Sequence, residues 1–161
     1  MLPGSTVFSQ IIYTDIVPDT VLTGLIDING DSYFLDMDNN GTDDFELAKV
    51  TGPFEFGYIQ AGGITPQTNA VMTSTPDVTK LNTGDPINSG QSFDVVSNGN
   101  FTLVSVFMTT VSGQWGGLTE GYMGVRFDSL GSTFYGWVRI GINANNTELT
   151  ILDYAYQSNG G

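Results

Sequence analysis

The run Tyr122-Met123-Gly124-Val125-Arg126-Phe127-Asp128 is followed, after the link Ser129–Thr133, by Phe134-Tyr135-Gly136-Trp137-Val138-Arg139-Ile140-Gly141-Ile142. Both runs alternate with a period of two, the period of an extended strand. Met123, Val125 and Phe127 therefore share one apolar face, and Phe134, Gly136, Val138, Ile140 and Ile142 form another. Tyr135, Trp137 and Arg139 point the opposite way. A turn at Asn143–Asn146 returns the chain into a further strand-like run, Thr147–Gln157, so three consecutive antiparallel strands are expected.

Outward from this core the same texture repeats. Candidate strands are Ser9–Ile16, Ser32–Asp36, Phe45–Val50, Glu55–Gln60, Asn69–Thr73 and Phe101–Val111, rich in Val, Ile, Thr, Tyr and Phe. Phe101–Val111 is apolar on both faces, which suits a strand near the middle of a sheet. The 21 glycines fall at turn-like intervals, and no window carries helical periodicity. Many short strands with frequent turns predict an all-β fold, an antiparallel, jelly-roll-like β-sandwich with little or no helix. The stretch Ser74–Ser92 is expected as an ordered surface loop with a short helical turn. Residues 1–161 are expected to form a single domain, with 1–8 and 158–161 as flexible or expression-derived ends.

Composition narrows the function. Four basic residues (Lys49, Lys80, Arg126, Arg139) face 17 acidic ones, for a formal charge of −13. Such a surface repels phosphate, so nucleic-acid partners are not expected. No run reaches the 18 or so apolar residues of a membrane-spanning helix, and membrane insertion is not expected either. The chain has no histidine and no cysteine. That excludes Ser-His-Asp and Cys-His catalysis, thiolate or imidazole metal sites, and disulfides. A carboxylate pair of the glycosidase type remains open to Glu55, Glu120 and Glu148, but no spacing singles out a pair, and an enzyme is not expected.

One segment carries distinct chemistry: Asp36-Met37-Asp38-Asn39-Asn40-Gly41-Thr42-Asp43-Asp44-Phe45. Oxygen side chains fall at its first, third, fifth and ninth positions, and glycine at its sixth. A hard cation such as Ca²⁺ takes six to eight oxygens, and a chain wrapping it needs a residue tolerant of positive φ at the bend. Side-chain ligation is assigned to Asp36, Asp38, Asn40 and Asp44, and main-chain carbonyl ligation to Thr42, with Asp43 facing water or supporting the ligands from outside. The twelfth position, where an EF-hand has a bidentate glutamate, is Leu47, so this is not an EF-hand. Asn39-Asn40-Gly41 also makes a good hairpin turn without any ion. Seven carboxylates and no basic residue between Asp27 and Glu46 weigh toward a bound cation. Asp27, Asn29 and Asp31 form a weaker acidic patch beside the loop.

Trp115 lies in the glycine-rich stretch Ser112-Gly113-Gln114-Trp115-Gly116-Gly117. It either stands exposed, able to stack on a sugar or anchor a partner, or folds back over the sheet end. Tyr135, Trp137, Tyr154 and Tyr156 form an aromatic sheet face, open to ligand or packed as the second side of a buried sheet.

The ending Phe134-Tyr135-Gly136-Trp137-Val138-Arg139-Ile140, then Leu149-Thr150-Ile151-Leu152-Asp153-Tyr154-Ala155-Tyr156, resembles that of a group of secreted bacterial surface β-sandwich domains. In that group an aromatic-Gly-Trp strand pairs with a final Asp-aromatic-Ala-aromatic strand, and an Asp-rich calcium loop lies near the N-terminus, as Asp36–Phe45 does here. The middle, residues 62–98, carries no part of the resemblance. The resemblance implies a secreted or cell-surface location in a bacterium. The resulting expectation is a non-catalytic surface, adhesive or fibre-forming module stabilised by Ca²⁺. Its partner would be a second copy, through addition of the strand Ser9–Ile16 to a neighbouring sheet edge, or an extracellular glycan; the favoured place for that strand is nonetheless within its own domain. The alternative is a carbohydrate-binding module using exposed aromatics, Trp115 among them.

Overall fold

The computed structural model describes residues 10–24, 30–51, 56–64, 68–74, 77–95, 101–117 and 119–159. Its elements are all strands: β1 (Ile11–Leu22), β2 (Asp31–Leu35), β3 (Phe45–Thr51), β4 (Phe56–Gly63), β5 (Ala70–Ser74), β6 (Asp77–Val78), β7 (Lys80–Leu81), β8 (Phe93–Val95), β9 (Phe101–Phe107), β10 (Thr110–Ser112), β11 (Thr119–Ser129), β12 (Ser132–Ile142) and β13 (Leu149–Gln157). They form one hydrogen-bonded path, β1-β13-β12-β11-β5-β6-β9-β4-β3-β2, with β7 on β11, β8 on β5 and β10 on β9. The path folds over on itself into a nearly closed, barrel-like sandwich, and the short strands β5 and β6 join its halves. All pairings are antiparallel except β6 with β9, where Asp77 lies opposite Thr102.

The alternation that marks the C-terminal strands sets their burial. Met123, Val125, Phe127, Val138 and Ile140 are fully buried, with Leu149 and Ile151 from β13 beside them. They pack against Leu35, Phe45, Leu47, Ile59 and Leu103 of the other half. Phe127 stacks on Phe134 at 5.4 Å, and Tyr156 meets Phe127 edge-on at 5.3 Å. The β11–β12 hairpin is tighter than its sequence suggests: Ser129 pairs with Ser132, leaving only Leu130 and Gly131 in the turn. Both have positive φ (50° and 78°), the type I′ geometry whose twist matches the flanking strands.

Two expectations need correction. Phe101–Val111 is not one strand, because the chain reverses at Met108 (φ 54°) and Thr109, so β10 folds back on β9 with Phe107 opposite Thr110. Its apolar residues on both faces have a local cause: a register shift opposite Ile59 and Gln60 lets the consecutive Leu103 and Val104 both be buried. The stretch from Ser74 to Ser92 holds β6, β7 and turns, with no helix among its described residues. The N-terminal strand pairs with β13 of its own chain, as favoured, and runs on past Ile16 to Leu22, from Ile11 opposite Gln157 to Leu22 opposite Leu149.

Candidate metal centre

The loop between β2 and β3 is built by its own side chains. Asp36 accepts from the Asn40 N–H (3.1 Å) and the Gly41 N–H (2.7 Å), and Asp38 accepts from the Asn40 N–H (3.2 Å). Asn40 Oδ1 in turn accepts from the Thr42 N–H at 2.8 Å. These bonds bend the chain sharply, and Gly41 takes φ 89° at the position where the sequence calls for it. The loop is moored at both ends. Met37 is buried in the core, and the Asp44 N–H donates to Leu35 O at 2.8 Å, just before the fully buried Phe45.

Asp36, Asp38 and Asp44 come together, one carboxylate oxygen of each within 4.8 Å of the others. Asp44 is the unusual member, since it is only 2% exposed. Its Oδ2 accepts from the Met37 N–H (2.8 Å) and its Oδ1 from Asn69 Nδ2 (3.0 Å). Burial raises its pKa from 3.8 to about 6; those two hydrogen bonds oppose the rise, and the charges of Asp38 and Asp36 add to it. Burial, and then the charges of Asp38, Tyr154, Asp36 and Asp44, also raise the Tyr156 phenol. Among the described residues no ion pair reaches the three carboxylates; the ion pairs there are those of Arg139. Lys49, the basic residue nearest in sequence, directs Nζ instead to Val50 O (3.2 Å) and Thr51 Oγ1 (3.0 Å).

Of the remaining loop residues, Asn40, Thr42 and Asp43 are exposed, and the side-chain oxygen of Asn40 is turned onto Thr42. Asp31 accepts from the Thr23 N–H at 3.1 Å, while Asp27 and Asn29 lie outside the described residues. The sequence reading missed Asn69. It is fully buried, it donates to Asp44, and its Oδ1 accepts from the Asp128 N–H at 2.9 Å, so it ties the loop to β11. Gly63 makes room for it, because a Cβ there would lie 2.1 Å from Asn69 O. No pattern marks a lone asparagine at a strand edge for this role.

Trp115 requires a correction. It is fully buried, with Nε1 donating to Val78 O at 3.1 Å, and so cannot stack on a sugar or meet a partner. The glycines beside it serve close approach rather than exposure: Gly113 has φ 100°, and a Cβ there would meet Leu103 O at 2.3 Å. The aromatic face also divides. Tyr154 and Tyr156 turn inward, while Tyr135 and Trp137 lie half-buried on the outer side, where Trp137 is joined by Tyr13 and Tyr122. Of the three glutamates weighed for catalysis, Glu120 contacts Arg139 at 3.1 Å, Glu148 is exposed at a turn, and Glu55 lies outside the described residues.

The donor set of the loop is all oxygen, which suits a hard divalent cation and not a metal that prefers thiolate or imidazole. Comparison with family models, curated proteins and solved structures returns no match.

Proposed function

We propose that the chain is a non-catalytic extracellular surface module, adhesive or fibre-forming, whose β2–β3 loop is stabilised by Ca²⁺. The observation that carries the calcium reading is the convergence of Asp36, Asp38 and the buried Asp44 without a basic partner among the described residues. A buried carboxylate beside two others is unfavourable when ionised, and a divalent cation offsets that cost where no lysine or arginine does. Asn40 and the Thr42 carbonyl complete the proposed oxygen set, with water filling any remaining positions. The location rests on the acidic composition, the two-layered β architecture and the sequence resemblance given above.

Self-association by strand addition would use a path end, β1 or β2. The β1 edge is interrupted: its pairing to β13 breaks between Asp15 and Thr20, where Pro18 has no N–H to donate. The Asp31–Leu35 edge of β2 is the better candidate acceptor.

Thermal unfolding with Ca²⁺ and with chelator tests the metal reading. The melting temperature is expected to fall on chelation, and Asp38→Ala to remove the response. An unchanged melting temperature together with no heat of Ca²⁺ binding by calorimetry would discard the site. Negative-stain imaging at high concentration tests assembly: filaments support it, and monodisperse particles count against it.

A further inference from the structure

We propose that the groove between Trp137 and the segment from Leu81 to Ile87 binds an uncharged oligosaccharide. The proposal stands apart from the calcium reading and shares no residue with the metal loop.

The floor of the groove is the outer face of β11, β12, β13 and β1. Trp137 lies over it, with Tyr122 edge-on at 5.0 Å and 85° on one side and Tyr13 at 6.2 Å on the other. Ala155 on β13 lies opposite both Tyr13 and Trp137 and leaves room for the two rings to meet, while Gly124, opposite Trp137 on β11, leaves room for Met72 and Leu81. The segment after β7 forms the opposite wall and is held in shape by its own turn. Asp85 accepts from the Asn82 N–H at 2.7 Å, and the Asp85 N–H donates to Asn82 O at 3.1 Å. Two depressions of about 250 and 180 Å³ lie along this wall, and both are lined by Asp85, Ile87 and Trp137.

The lining sets the ligand class. A pyranose ring has a C–H face that packs on an aromatic ring and an edge of hydroxyls that both donate and accept. Trp137 and Tyr122 supply the rings; Asn82 and Thr83 at one end and Gln157 at the other supply groups that donate and accept. Among the described residues the charged side chain lining the groove itself is Asp85, and at the mouth Glu120 is paired with Arg139 beside Lys80. With a net charge of −13 behind it, Asp85 disfavours uronate and sulfated glycans. Because the Asn82–Asp85 turn fixes the wall in advance, little ordering cost falls on binding.

The test is titration of the ¹⁵N-labelled protein with neutral hexaoses of glucose, N-acetylglucosamine, xylose and mannose. Oligogalacturonate, a heparin hexasaccharide and choline serve as comparisons. Binding of at least one neutral oligosaccharide is expected, with shifts centred on Asn82, Thr83, Tyr122 and the Trp137 indole N–H. Trp137→Ala and Tyr122→Ala should each weaken it by about tenfold or more. If a variant fails to fold, the shift map of the unmodified protein decides. Asp38→Ala should leave the affinity unchanged, so the groove and the calcium site can each fail alone. The proposal is overturned if no neutral oligosaccharide binds at millimolar concentration, if the shifts lie elsewhere, or if binding survives both aromatic substitutions. Tighter binding of the anionic glycans, or of choline alone, overturns it equally.

Discussion

Asp44→Asn is expected to stabilise the protein without calcium and destabilise it with calcium, a change of sign that a simple turn would not produce. The side chain is nearly inaccessible, and its pKa rises from 3.8 to about 6 on folding. The folded state thus binds the proton more tightly. The associated stability is complete below pH 3.8 and is lost as the pH rises through about 6. At pH 7 the ionised group costs about 3 kcal/mol relative to the unfolded chain. Asparagine removes the charge and keeps an acceptor for the Met37 N–H, but it sets an amide N–H₂ against Asn69 Nδ2 and loses roughly 1–1.5 kcal/mol there. The balance in chelator is a gain of about 1.5–2 kcal/mol, or a few degrees in melting temperature for a chain of this size. With Ca²⁺ at a hundredfold its dissociation constant, the unmodified protein gains about 2.7 kcal/mol that the variant largely forgoes. Scanning calorimetry in chelator and in Ca²⁺, at pH 4.5 and pH 7.5, reads all four states. In chelator the advantage of the variant should shrink at the lower pH. If Asp44→Asn is equally destabilising with and without Ca²⁺, the carboxylate is a structural acceptor and the metal site is wrong.

Other expectations follow from single contacts. Asp153 is almost fully buried, it takes Arg139 Nε at 2.9 Å and the Tyr13 hydroxyl at 2.9 Å, and it is also bonded to Arg139 Nη2, so Asp153→Ala should cost about 2–4 kcal/mol in denaturant unfolding and speed amide exchange in β1. Equal exchange in β1 would show that its backbone pairing to β13 suffices. Leu130 is fully solvent-exposed at φ 50°, so Leu130→Asn should stabilise by about 0.5–1 kcal/mol, read as a raised denaturant midpoint at unchanged slope. Gly63→Ala should destabilise by about 2 kcal/mol or more, since its Cβ would collide with the Asn69 backbone; a neutral result in thermal melts would mean that strand β4 moves freely there.

What the sequence displayed and what it hid divide along a physical line. Residues whose orientation follows from strand period were legible: Met123, Val125, Phe127, Val138 and Ile140 are inward as their alternation requires. The Asp36–Asp44 loop was legible because its shape is made locally, by side chains reaching main-chain N–H groups two to five residues away. Strands β6 and β7 were not, since two-residue strands have no period and depend on distant partners, Asp77 opposite Thr102 and Leu81 opposite Tyr122. Trp115 was ambiguous because glycine permits both exposure and close approach, and what decides between them is tertiary: its place in the core and the carbonyl of Val78 that its indole N–H meets. The aromatic groove was hidden for the same reason: Tyr13 and Trp137 are far apart in the chain and meet across β13 over Ala155.

The placement of Asn69 gives the metal loop a reach beyond its own hairpin. One end of its amide donates to Asp44 and the other accepts from the Asp128 N–H, so a single buried side chain joins the β2–β3 loop to β11 across the two halves of the sandwich. Ionised Asp44 strengthens the donor bond but pays for its burial, and a cation at Asp36, Asp38 and Asp44 would favour that same ionised form. Calcium would then stabilise more than a surface turn, because holding Asp44 charged also holds Asn69 in the orientation that Asp128 requires. Hydrogen exchange at the Asp128 amide separates the two cases. Slower exchange there on adding Ca²⁺ indicates coupling through Asn69, whereas protection confined to residues 36–44 would make the loop energetically isolated from β11.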